Sequence, residues 1–161
     1  MSERAALTTG IVGLLLGFAV LAGIFSLLGE RNDTDDAANM PGEREVILRS
    51  YFDAYNRRDV EAVLSHMADD VSWMSISDDR IGVEATGKNG LAAVLEEYFR
   101  DSMDGRSILR NIMAQGEFLS AVEEAKWVSD GLEKSTCAVS VYRFSGQQIR
   151  QVWYFDAQPC D

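Results

Sequence analysis

Between Arg4 and Glu30 the chain runs for 25 residues without a charge, and from Gly10 to Gly29 its only polar side chain is Ser26. As a helix rising ~1.5 Å per residue, such a stretch is about 37 Å long, enough to cross a hydrocarbon core of about 30 Å with some tilt. A cleaved signal peptide is the rival reading. Its apolar region is usually about 7–15 residues, behind a basic start and before an A-x-A-like site. Here the run is longer, Arg4 is set against Glu3, and Ala19 and Ala22 are one residue too far apart for that site. No cysteine ends the run, which excludes a lipoprotein anchor. The expectation is an uncleaved single-pass membrane anchor over 1–29.

The bias of basic residues is weak. It puts the N-terminus in the cytoplasm and the following domain on the extracytoplasmic side, periplasmic in a bacterium. Gly13 and Gly17 form G-x-x-x-G, and Ala19 and Gly23 repeat the spacing. Such faces let two membrane helices approach closely, so a homodimer through Gly13 and Gly17 is expected as one partner arrangement.

Residues 30–42 read as an acidic, flexible linker: Asn32, Asp33, Asp35, Asp36, Pro41 and Gly42 offer no face to bury, and like charges extend a chain. From Glu43 the composition changes. Of the whole chain 47% is apolar, which excludes a disordered acidic tail. Against 15 Lys and Arg stand 26 Asp and Glu, a net charge of −11, and this argues against a nucleic-acid partner. Two Cys and two Pro exclude disulfide-dense and collagen-like classes.

Within 43–161, Ile47, Leu48, Tyr51, Ala54 and Tyr55 recur at helical spacing and predict a helix over 43–57. Asp59 is placed to cap a second helix carrying Val60, Val63, Leu64 and Met67. Val71 to Ile76 is β-prone. Residues 77–90, with Asp78-Asp79 and three Gly, read as loop, and Leu91, Val94, Leu95 and Tyr98 predict a third helix. The period then shifts to two: strands are expected over 106–115, 117–128, 136–144 and 147–156, with turns at Gly116, Asp130-Gly131 and Ser145-Gly146. Helices followed by a long antiparallel meander make an α+β layer fold, whose sheet must curl over the helices and can leave an apolar pocket.

The run from Tyr51 to Leu64 (YFDAYNRRDVEAVL), its continuation Ala68-Asp69-Asp70-Val71-Ser72-Trp73, Gly87 and the segment Tyr142 to Ile149 resemble the nuclear transport factor 2-like superfamily, closest to its SnoaL-like and ketosteroid-isomerase-like domains. The resemblance implies a cone-shaped, curved antiparallel sheet wrapped on two to three helices, with a pocket at its open end and dimers that often form through the sheet. It also implies pocket positions at Tyr51, Tyr55, Val71, Trp73, Ser75, Ser140 and Tyr142. The superfamily holds isomerases, dehydratases, epoxide hydrolases, polyketide cyclases and non-catalytic domains, so fold does not decide function.

In ketosteroid isomerases a general-base carboxylate falls near position 75 and a second acid near 140. This chain has Ser75 and Ser140, and only the helix tyrosine, Tyr51, is kept. Serine alone is a negligible base near neutral pH. Asp156 at the end of the last strand is the remaining candidate acid. Glu123-Glu124 reads as a solvated face, and Asp78-Asp79 as a solvated turn. His66 is the only histidine and has no ligand-spaced neighbour, so neither a metal nor another cofactor is expected. Whether Trp153 or Tyr154 enters the pocket stays open, because a one-residue slip exchanges them. Cys160 lies at least five extended residues beyond the partner of Cys137, about 16 Å at ~3.3 Å per residue, so a bridge is not expected unless the chain folds back.

These readings predict a membrane-anchored, non-catalytic domain that binds a small apolar ligand or a protein partner. One alternative is an isomerase, dehydratase or hydrolase using Tyr51 and a displaced acid such as Asp156. Another is a scaffold subunit of an envelope complex.

Overall fold

Turn chemistry cuts the second half of the chain into strands where the sequence says it should. At Asp130-Gly131 both residues hold positive φ, 56° and 74°, the backbone hand that matches strand twist in a two-residue hairpin. The computed structural model describes residues 33–101 and 105–160, with side chains from 42 to 100 and from 105 to 160. The expected membrane span over 1–29, with Gly13 and Gly17, lies outside the described residues. Among the described residues no helix is long and apolar enough to cross a membrane.

The elements in order are α1 (Asp33–Asn56), α2 (Val60–Ser65), β1 (Met67–Ser77), β2 (Arg80–Thr86), α3 (Gly87–Asp101), β3 (Arg106–Gln115), β4 (Phe118–Ser129), β5 (Leu132–Ser145) and β6 (Gln148–Phe155). Asp59 caps α2, accepting from the Ala62 amide at 3.0 Å. Three expectations need correction. Helix α1 begins at Asp33, not 43, so most of the expected linker is helical. Residues 80–86, read as loop, form β2, paired with β1 across the two-residue turn Asp78-Asp79. The sheet is mixed, not antiparallel throughout: β1 and β6 run parallel.

The strand order is β2-β1-β6-β5-β4-β3, so the last strand of the domain lies between the first hairpin and the later meander. The core sits between this curved sheet and the helices. Leu48, Tyr51 and Phe52 of α1, Leu91 and Leu95 of α3, and Leu119, Tyr142, Phe144, Ile149 and Val152 of the sheet are all buried. Large apolar side chains of this kind contribute ~1.5–3 kcal/mol each on burial. The segment after β6 continues along β5: Gln158 pairs with Cys137, and Cys137 and Cys160 form a disulfide. The expected separation placed the partner of Cys137 at least five residues before Cys160. The register instead puts Gln158 opposite Cys137, so Cys160 lies only two residues beyond that partner and the bridge forms.

Candidate functional site

Strand β4 places Leu119, Ala121, Glu123 and Ala125 on one face by simple alternation. The first two are core residues, so Glu123 is carried inward with them and is only 5% exposed. Its carboxylate accepts hydrogen bonds from two phenols, Tyr142 on Oε1 and Tyr154 on Oε2. The two phenol oxygens are 3.4 Å apart. The reading of Glu123-Glu124 as a solvated face is therefore wrong: Glu123 lies inside, and Glu124 is itself only 7% exposed. Glu124 points to the other face, beneath Arg110 and within 3.6 Å of Lys126.

Glu123 forms part of the wall of a cavity of about 300 Å³. Tyr55 comes from α1, and Val94, Leu95 and Tyr98 from α3; Trp73 and Tyr154 come from neighbouring strands. Trp73 and Tyr154 stack, with ring centroids 5.6 Å apart and planes 24° off parallel. Ser107, Ala125, Thr136 and Ala138 pave the sheet side with small side chains. An otherwise apolar hollow thus has one carboxyl group in its wall.

Burial holds the Glu123 carboxyl above the usual carboxylate range, because desolvation penalises the charged form. The hydroxyls of Ser140, Tyr142 and Tyr154 act against that shift without cancelling it. Tyr142 and Tyr154 are themselves raised, first by burial and then by the Glu123 charge. Tyr51 is raised for the same two reasons, and its buried hydroxyl has no partner. Both carboxylate oxygens accept, which suits the ionised form. To hold a proton, Glu123 must give up one phenol donor. The group is thus a basic carboxylate poised to take a proton from something placed beside it.

Of the expected pocket residues, Tyr55 and Trp73 line the cavity. Tyr51, Ser140 and Tyr142 are buried in the layer behind it, next to Glu123. Val71 is core, 1% exposed. Ser75 is outside the site: its hydroxyl donates to Glu84 at 2.6 Å. Asp156 is exposed and accepts from Ser77 at 2.6 Å, so it is not the buried acid. His66 sits at the C-terminus of α2, 3.3 Å from Ser50 Oγ, with its pKa lowered by partial burial. The open choice on the last strand resolves to Tyr154, which pairs with Ser140 because a bulge at Arg143/Phe144 shifts the register. Among the described residues no three His, Cys, Asp or Glu side chains gather as a metal site would need.

The SnoaL-like domain model matches residues 48–152, most of the chain. The chain belongs to the SnoaL-like domain family. Solved structures support the same fold for this SnoaL-like domain. A cystatin-fold protein from Novosphingobium aromaticivorans superposes with TM-score 0.60 at 24% identity, over 71% of this chain and 97% of its own. An NTF2-like protein from Burkholderia pseudomallei gives 0.57 at 18%, over 70% and 88%. A proposed polyketide cyclase from Xanthomonas campestris gives 0.51 at 20%, over 72% and 91%. No curated protein matches the sequence significantly.

Proposed function

We propose that this SnoaL-like domain takes a small, largely apolar molecule into its cavity and that Glu123 exchanges a proton with it as general base and acid. The observation that carries the reading is a buried carboxyl, raised by desolvation and braced by two phenols, in the wall of an apolar hollow. The non-catalytic expectation rested on Ser75 and Ser140 replacing both acids; Glu123 removes that motive. The proposed polyketide cyclase among the structural neighbours is in keeping with acid–base chemistry, although likeness at that identity speaks for fold alone.

The test starts from the full chain as purified. Native mass spectrometry identifies the apolar molecule it carries, and incubation in heavy water follows deuterium entering a C–H bond of that molecule. Wild type is expected to catalyse the exchange, and Glu123→Gln to bind the molecule but slow exchange by about 10²–10⁴-fold, the usual contribution of a positioned acid–base group. Equal exchange rates in the two proteins would refute the proposal.

The same reading places the domain outside the cytoplasm, held by the charge-free segment near the N-terminus. The Cys137–Cys160 disulfide supports an oxidising compartment. It also includes a second copy as partner. Val83, Met74, Trp153, Val141, Ser120 and Met113 align in register across all six strands on the face turned away from the core. Val83 and Met113 are 64% and 67% exposed. Six strands at ~4.8 Å spacing make this band about 24 Å wide, close to the breadth of a standard interface of roughly 800 Å² per partner.

A further inference from the structure

The segment after β6 is a strap held at both ends. At its start the Asp156 amide donates to the Ile76 carbonyl at 3.2 Å, and Ser77 Oγ donates to Asp156. At its far end the disulfide ties Cys160 to Cys137 on β5, with Cα atoms 5.0 Å apart. Between them Gln158 and Cys137 exchange two backbone hydrogen bonds of 2.8 Å. Phe155 and Ala157, on either side of Asp156, line the cavity. So do Thr136 and Ala138, on either side of Cys137. The strap therefore belongs to the cavity wall.

Without the covalent bond this wall is lightly held. Asp156, Ala157, Gln158 and Pro159 are exposed, and Pro159 has no amide to donate. Two solvent-facing ladder bonds open readily. The residues between the two cysteines are already joined by the β5–β6 ladder, from Ser140–Tyr154 to Ser145–Gln148. The disulfide thus adds little to the sheet and much to the strap.

We propose that Cys137–Cys160 is a redox latch on the cavity: oxidised, it keeps residues 156–160 on β5; reduced, it lets the strap lift and opens the wall. The proposal rests on the cavity being a ligand site. The reductant is a dithiol, small or protein-borne. Its thiolate attacks one sulfur, breaking the Cys137–Cys160 bond, releasing one cysteine and forming a mixed disulfide with the other; its second thiol then attacks the mixed disulfide and displaces that bound cysteine. Two electrons and two protons end on Cys137 and Cys160, and the dithiol leaves as its own disulfide.

The experiment compares the oxidised full chain, the same chain reduced with dithiothreitol, and Cys160→Ser. Amide hydrogen exchange reads the strap, and equilibrium dialysis with 2-naphthol reads the cavity. In the reduced and Cys160→Ser chains the Cys137 and Gln158 amides are expected to exchange about tenfold faster or more, with Leu119 and Val152 unchanged. The affinity for 2-naphthol is expected to fall by about threefold or more as apolar wall is lost. Unchanged strap exchange overturns the latch. So does faster exchange throughout β4–β6, which would make the bond a staple of the sheet. So does a freed strap with unchanged 2-naphthol affinity. Failure of the oxidised chain to bind 2-naphthol, with strap exchange still redox-dependent, refutes the ligand reading of the cavity while upholding the strap's release.

Discussion

Glu123 and Glu124 are adjacent in sequence, and their acidities are driven in opposite directions. Strand alternation sends Glu123 into the hollow, where burial raises its pKa above 4.5. Glu124 points out under Arg110, whose hydrogen bond lowers its pKa below 4.5. The consequences for stability have opposite signs. The Glu123 contribution is complete below about pH 4.5 and is lost as pH rises through its raised folded value. The Glu124 contribution is present above that pH and is lost as pH falls through its lowered folded value. Urea midpoints measured from acid to neutral pH are expected to show Glu123→Gln more stable than wild type on the neutral side. The same titration should show Glu124→Gln without its share of the acid-side loss. Tyr51 makes a different prediction. Its buried hydroxyl has no partner, so Tyr51→Phe removes an uncompensated polar group. The variant is expected to gain about 1 kcal/mol in chemical denaturation, the order of cost of such a group.

At the scale of elements, the sequence was most legible where a local rule decides. The α1 face through Leu48, Tyr51 and Ala54, the Asp59 cap and the turn pairs all follow from spacing or backbone preference. Gly131 shows how strict such a rule is. At φ 74° an added Cβ is strained although nothing stands within 4 Å of it. Gly131→Ala is expected to cost about 1–2 kcal/mol and to lower the thermal midpoint without changing the fold. Strand β2 was illegible because Gly82 interrupts it, while its Ile81 and Val83 stay exposed on a sheet edge. The parallel β1–β6 pair was illegible because no local signal joins residues about eighty positions apart. Glu123 is the instructive miss. The period-two pattern Leu119, Ala121, Glu123, Ala125 put it on the apolar face, but two adjacent glutamates were read by their charge instead of their phase. What neither spacing nor charge could reveal was the pair of phenols that makes its burial tolerable, since Tyr142 and Tyr154 come from other strands.

Across the whole molecule, the outward band from Val83 to Met113 is the feature that the monomer leaves unexplained. If it meets a second copy, one charge in its middle disrupts the contact while leaving the core untouched. Val141→Lys is therefore expected to halve the sedimenting mass of the chain relative to wild type. The circular dichroism spectrum should stay the same, because Val141 points away from Tyr142 and its buried neighbours. A wild type that sediments as a monomer at tens of micromolar concentration would remove the band from the list of interfaces.

The place of β6 between β1 and β5 also governs when the fold can come into being. The hairpin of β1 and β2 and the meander of β3 to β5 share no ladder with each other; each touches only the strand made after both. Until the segment through Phe155 has left the ribosome, the nascent chain can build at most two half-sheets with open edges. Closure is then a single late event, and that interval is when the growing polypeptide most needs a chaperone's cover.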